Sequence, residues 1–166
     1  RKHPYNVQRG NYRDSRKKFN EILFARCRSG VSPWLWAWFI FWAAVDAYTT
    51  IALARAGLGY ELNHVINGMA PLAGFDAAVI INAALGIGLA WALAKTRLCL
   101  AAAIAKTLMV TKALPPVNNL ALAFTGLALV DRLAAALGTG PHVAGLLLGL
   151  AGIFPTLAYH LYRELK

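Results

Sequence analysis

Charge is scarce in this chain, and acid scarcest of all. Only 14% of the 166 residues are charged, with seven Asp and Glu against seventeen Lys and Arg. Soluble domains carry about 25% charged residues. With 58% hydrophobic residues and a mean hydropathy of +0.50, a water-soluble fold would expose apolar surface far beyond what monomers tolerate. Cysteine is nearly absent. Cys27 and Cys99 form neither a disulfide framework nor metal-ligand spacing and read as free thiols. Catalytic signatures are missing too: there is no G-x-S-x-G, no H-E-x-x-H and no phosphate-binding loop. No catalytic residue and no metal site is therefore assigned.

What is present points to lipid. The composition predicts an all-α, polytopic membrane helical bundle of about four spans, with five as the alternative. Two regions follow: a basic arm over residues 1–31 and a bundle over 32–166. The arm holds nine of the seventeen basic residues by position 28, against only Asp14 and Glu21. Within it, Phe19, Ile22, Leu23 and Cys27 share one face of a short amphipathic helix suited to a membrane surface. It lacks the aromatic interleaving and zinc ligands of a nucleic-acid binder, so its expected partners are anionic lipids, not nucleic acid. No apolar core of a cleavable signal is expected within residues 1–28.

The first span is expected at about 33–54, opened by Ser32-Pro33 as cap and first turn. The second is expected at about 72–94, the third at about 115–137 and the fourth at about 141–161. Residues 98–113, with Lys106 and Lys112 in an alanine-rich run, read as a surface helix or a further span. Four spans place fifteen basic residues on the side of both termini and leave Arg55 and Arg132 opposite. The positive-inside rule then makes that side cytoplasmic, and a bacterial inner membrane is the expected location. Gly145 with Gly149, Ala84 with Gly88 and Ala92, and Ala101 with Ala105 have the spacing that lets helices approach closely in lipid.

Polar residues inside the spans are the candidate site. Asp46 is expected ~12 Å deep, Asn82 roughly 15 Å and Asp131 with Arg132 roughly 8–9 Å, all from the same side. A charge at a span centre costs around 2.5–3.5 kcal/mol, which favours inward pairing. Asp46 is thus expected to meet Thr49, Thr50, Asn82 and Arg132 across the bundle, either as structural glue or as an ion or proton site. Above it, Glu61, Asn63 and His64 occupy the outer loop, as a hydrogen-bonded turn or a weak cation site.

Asp46 with Thr50, followed by Glu61-Leu62-Asn63 after a glycine-bearing turn, resembles a family of small bacterial and archaeal multi-pass membrane proteins of unknown function. That family has Asp and Thr four residues apart in the first helix, then Glu-x-Asn-Pro, a Lys-bearing second helix and a later Asn. Asn118-Asn119 correspond to that Asn. His64 stands where the family has Pro, and the second span here has no internal Lys. The resemblance covers about residues 35–120 and implies a membrane fold with a polar cluster, but no activity.

No cofactor is expected beyond bound lipid. His142 and His160 are eighteen residues apart, about 27 Å along a helix, so they cannot share one haem or chlorophyll. The function expected is a non-catalytic accessory subunit of a larger, energy-transducing membrane complex, with other integral membrane proteins as partners. The alternative is a small oligomeric transporter using Asp46, Asn82 and Asp131.

Overall fold

The computed structural model describes residues 30–58, 63–96 and 98–165. The basic arm and Glu61 lie outside them. Among the described residues there are seven α-helices and no strand: α1 Pro33–Arg55, α2 His64–Ala73, α3 Phe75–Lys95, α4 Cys99–Thr111, α5 Leu114–Thr125, α6 Leu129–Leu137 and α7 Pro141–Leu165. Four segments are long and apolar enough to cross a membrane: Pro33–Arg55, Phe75–Lys95, Cys99–Thr125 and Pro141–Glu164. The protein is a membrane-embedded helical bundle.

The third span differs from the sequence expectation. It is not 115–137 but Cys99–Thr125, made of α4 and α5 in succession, with Lys106 and Lys112 inside it. The residues read as a surface helix or a further span are its first half, and 129–137 is a short separate helix. The chain accommodates the two lysines by giving each an acidic partner from another helix, Glu164 for Lys106 and Asp46 for Lys112. The span count stays at four because α6 does not cross.

The join between α4 and α5 has a chemical cause. Pro115 and Pro116 lack N–H groups, so the carbonyls of Thr111 and Lys112 have no helical donor four residues on. Lys112 and Ala113 keep right-handed dihedrals, and the helix breaks without reversing. At α1 the expected entry is present, with the Ser32 hydroxyl accepting from the Leu35 N–H and Pro33 in the first turn. Between α2 and α3 the chain turns at Gly74, whose φ of 83° suits a residue without Cβ.

Burial runs opposite to that of a soluble domain. The fully enclosed positions are mostly small: Ala78, Ala90, Ala103, Ala105 and Ala144, with Met109 and Cys99. Large side chains such as Trp34, Tyr48, Leu72 and Phe124 face outward. Lipid tails are as apolar as leucine, so nothing drives these residues inward; close backbone approach through small residues holds the helices instead. α4 supplies most of that core. It packs on α7, α3 and α1, while α1 also packs on α5 and α3, and α7 also on α6. α7 meets the third span closely where Leu114 lies against Gly152. The end of the bundle where α1 finishes and α7 begins is called upper below.

Candidate functional site

A cavity of about 780 Å³ occupies the upper half of the bundle. Its walls come from α1, α2, α5, α6 and α7, with α3 reaching it through Phe75 and the α4–α5 join through Lys112. Most of the lining is apolar, including Leu53, Ile66, Phe75, Leu122, Val130 and Leu146. Into this greasy wall the fold sets a small number of polar groups.

The deepest is an ion pair. Asp46 stands nine residues below Arg55 on α1, about 14 Å at helical rise. Its carboxylate accepts from the Lys112 ammonium at 2.6 Å. The two side chains are 18% and 19% exposed, and both border the cavity. Lys112 is brought there by the proline-induced break, which ends α4 level with Asp46. The cation expected opposite Asp46 was Arg132. Instead Arg132 lies on α6 and donates to the Thr125 hydroxyl at 2.7 Å, tying α6 to the end of α5. Arg132 is not part of the cavity wall and its partner Thr125 ends the third span, whereas Lys112 lies within that span.

Thr49 and Thr50 join α1 to α5. The Thr49 hydroxyl donates to the Val45 carbonyl at 2.8 Å, so its oxygen remains an acceptor. The Asn119 amide donates to Thr49 at 3.1 Å and to Thr50 at 3.0 Å. Neighbouring Asn118 accepts from the Val130 N–H at 3.0 Å, capping the first turn of α6, whose own preceding residue Ala128 offers no side-chain cap. Asp131, also bordering the cavity, lies in that first turn, where helix N-terminal amides favour a negative charge. Asn82 is half-buried on α3 and is not part of the cavity wall. The expected cluster therefore loses Asn82 and Arg132 and gains Lys112, Asn118 and Asn119.

At the mouth, Asn63 caps α2, its side chain accepting from the Val65 N–H at 2.9 Å. His64 stacks on His142 with ring centroids 6.2 Å apart and planes within 15°. This pair joins the start of α2 to the start of α7. Beside it an exposed ion pair, Arg55 with Asp76, links the end of α1 to the start of α3. No group of three or more His, Cys, Asp or Glu able to hold a metal is found among the described residues.

At the opposite end a third ion pair, Lys106 with Glu164, ties α4 to α7. Both side chains are enclosed, Glu164 to 3% exposure. The buried Cys99 thiol donates to the Glu164 carbonyl, and His160 stands one turn before Glu164 with its ring against Tyr159. His142 and His160 thus belong to different ends of the bundle.

The small-residue pairs fall in unexpected places. Gly149 borders the cavity, with open space where a Cβ would stand, and Gly145 lies on the same wall. Ala84, Gly88 and Ala92 face outward from α3. Ala101 and Ala105 are buried in the α4 core. The tightest glycine is Gly152, where a Cβ would stand 2.7 Å from the Leu114 side chain. Its spacing from Gly145 and Gly149 gave no separate signal.

Comparison with protein-family models, curated proteins and solved structures finds no match. Of the residues carrying the family resemblance, Asp46, Thr50 and Asn119 come together, and Lys112 of the third span supplies a lysine at that point. Glu61 lies outside the described residues.

Proposed function

We propose that the chain binds a small amphiphilic solute inside the membrane and acts as a small transporter. The observation that carries this reading is the cavity of about 780 Å³ with the Asp46–Lys112 pair at its floor. Ligand sites are concave, mostly apolar, roughly 300–1,000 Å³ in volume and furnished with a few placed polar groups. An intramembrane ion pair that borders open space, rather than packed side chains, is the kind of group that marks a substrate pathway. The break beside Lys112 adds support, because interrupted spans at mid-depth are a recurring device of transporter sites. In this reading the lower end, with Lys95, faces the cytoplasm and the cavity opens to the other side.

The second reading, an accessory subunit of a larger complex, is supported by the outward-facing Ala84, Gly88 and Ala92. These leave a shallow strip on α3 that is exposed among the described residues, and a partner helix could approach closely there.

Mild-detergent purification followed by native mass spectrometry separates the two. The transporter reading expects a lone homo-oligomer carrying a small-molecule adduct that Gly149→Leu, which projects a side chain into the cavity, diminishes. A fixed set of other membrane proteins at stoichiometric ratio, with no adduct, would replace it with the subunit reading.

A further inference from the structure

Resting on the solute-binding reading, we infer that the cavity takes a zwitterion with an apolar body: an ammonium and an anionic oxygen group a few ångströms apart, attached to a greasy remainder. Asp46 and Lys112 are each other's partner at 2.6 Å, so the floor is electrically neutral while presenting both signs to the cavity. A ligand with one charge that displaces the cavity water pairs with one member only by leaving the other uncompensated. A ligand with both charges exchanges the internal pair for two external ones. Its ammonium meets Asp46, its anionic group meets Lys112, and no charge is orphaned.

The neighbouring amides carry the same duality. Asn119 spends its N–H₂ on Thr49 and Thr50, which leaves its carbonyl oxygen as the acceptor for an ammonium. Asn118 spends its carbonyl oxygen on the Val130 N–H, which leaves its N–H₂ as the donor for an anionic oxygen. Both asparagines border the cavity. Two adjacent residues of the same type are thus fixed in opposite roles by the bonds they already make. The rest of the wall, from Leu53, Ile66, Phe75, Leu122 and Leu146, suits an aliphatic body and rejects a strongly polar one.

The chemistry fits a free amino acid with an aliphatic side chain or the zwitterionic headgroup of an ethanolamine phospholipid, and the test has an arm for each. Purified protein in nanodiscs of phosphatidylglycerol is titrated with leucine, with dihexanoyl phosphatidylethanolamine, and with two single-charge homologues of leucine. These are 4-methylpentanoate, which lacks the ammonium, and 3-methylbutylamine, which lacks the carboxylate. The expected result is saturable binding of at least one zwitterion, with both homologues roughly ten- to hundred-fold weaker, as loss of one charge-assisted bond implies. Tighter binding of leucine identifies the free amino acid, and tighter binding of the phospholipid identifies the headgroup. Lys112→Met should bring leucine and 3-methylbutylamine to within a few-fold of each other, and Gly149→Leu should weaken binding of every compound. A homologue that binds as tightly as leucine and the phospholipid would overturn the zwitterion inference and leave the solute-binding reading intact. Absence of binding by all four would also overturn the inference, while the native adduct and its decrease in Gly149→Leu judge the solute-binding reading separately.

Discussion

The two halves of the bundle handle the same problem in opposite ways. Each contains a lysine of the third span, six residues apart and about 9 Å in rise, and each lysine is paired with an acid on another helix. In the lower half, Lys106 and Glu164 are enclosed where α4 packs on α7 among Cys99, Ala102 and Ala105, and neither borders the upper cavity. In the upper half, Lys112 and Asp46 border about 780 Å³ of open space. The first arrangement locks two helices. The second keeps two charges within reach of something else. An intramembrane ion pair is therefore informative about function only once its surroundings are known.

The sharpest way to break this contrast is to remove one acid from each half. Glu164→Ala should cost about 3 kcal/mol in a denaturant titration in mixed micelles, because it breaks an enclosed ion pair by removing its acid. Next, Gly152→Ile should cost about 2 kcal/mol in the same titration, since its branches must displace Leu114 where α7 meets the third span. Asp46→Asn should cost only about 1 kcal/mol, because water in the cavity can solvate the released Lys112. Its main effect should fall on ligand binding. Smallest of all, Gly149→Leu should change stability by less than about 0.5 kcal/mol, because its side chain enters open space and replaces a residue that disfavours helix. An Asp46→Asn cost equal to that of Glu164→Ala would erase the distinction between the halves.

Composition made the fold class legible, since so apolar a chain has only lipid as a consistent solvent. The span count was legible as well, but the third span's position was not. Lys106 and Lys112 looked disqualifying along the chain, and their acids lie 58 and 66 residues away, beyond any local pattern. Pro115-Pro116 reads locally as a helix start, and it does start α5. Nothing local reveals that α4 and α5 continue one crossing. Asp46 was legible as a residue needing a partner because an isolated carboxylate in lipid is costly. The partner's identity depended on helix order around the bundle, which sequence periodicity does not encode. The cavity itself was invisible, because it arises from the way α7 is held by α4 below and by α6 above.

The central claim is that the upper half is open and the lower half enclosed, and labelling of introduced cysteines tests it most directly. In a background with Cys27 and Cys99 replaced by alanine, Leu122→Cys and Gly149→Cys report the cavity wall, and Ala102→Cys and Ala105→Cys report the packed core. A small, membrane-impermeant thiosulfonate is applied to each side of proteoliposomes. The account predicts rapid modification of the first two from one side only and none of the last two. Equal protection at all four positions would contradict it, because the Asp46–Lys112 pair would then be as enclosed as the pair beneath it.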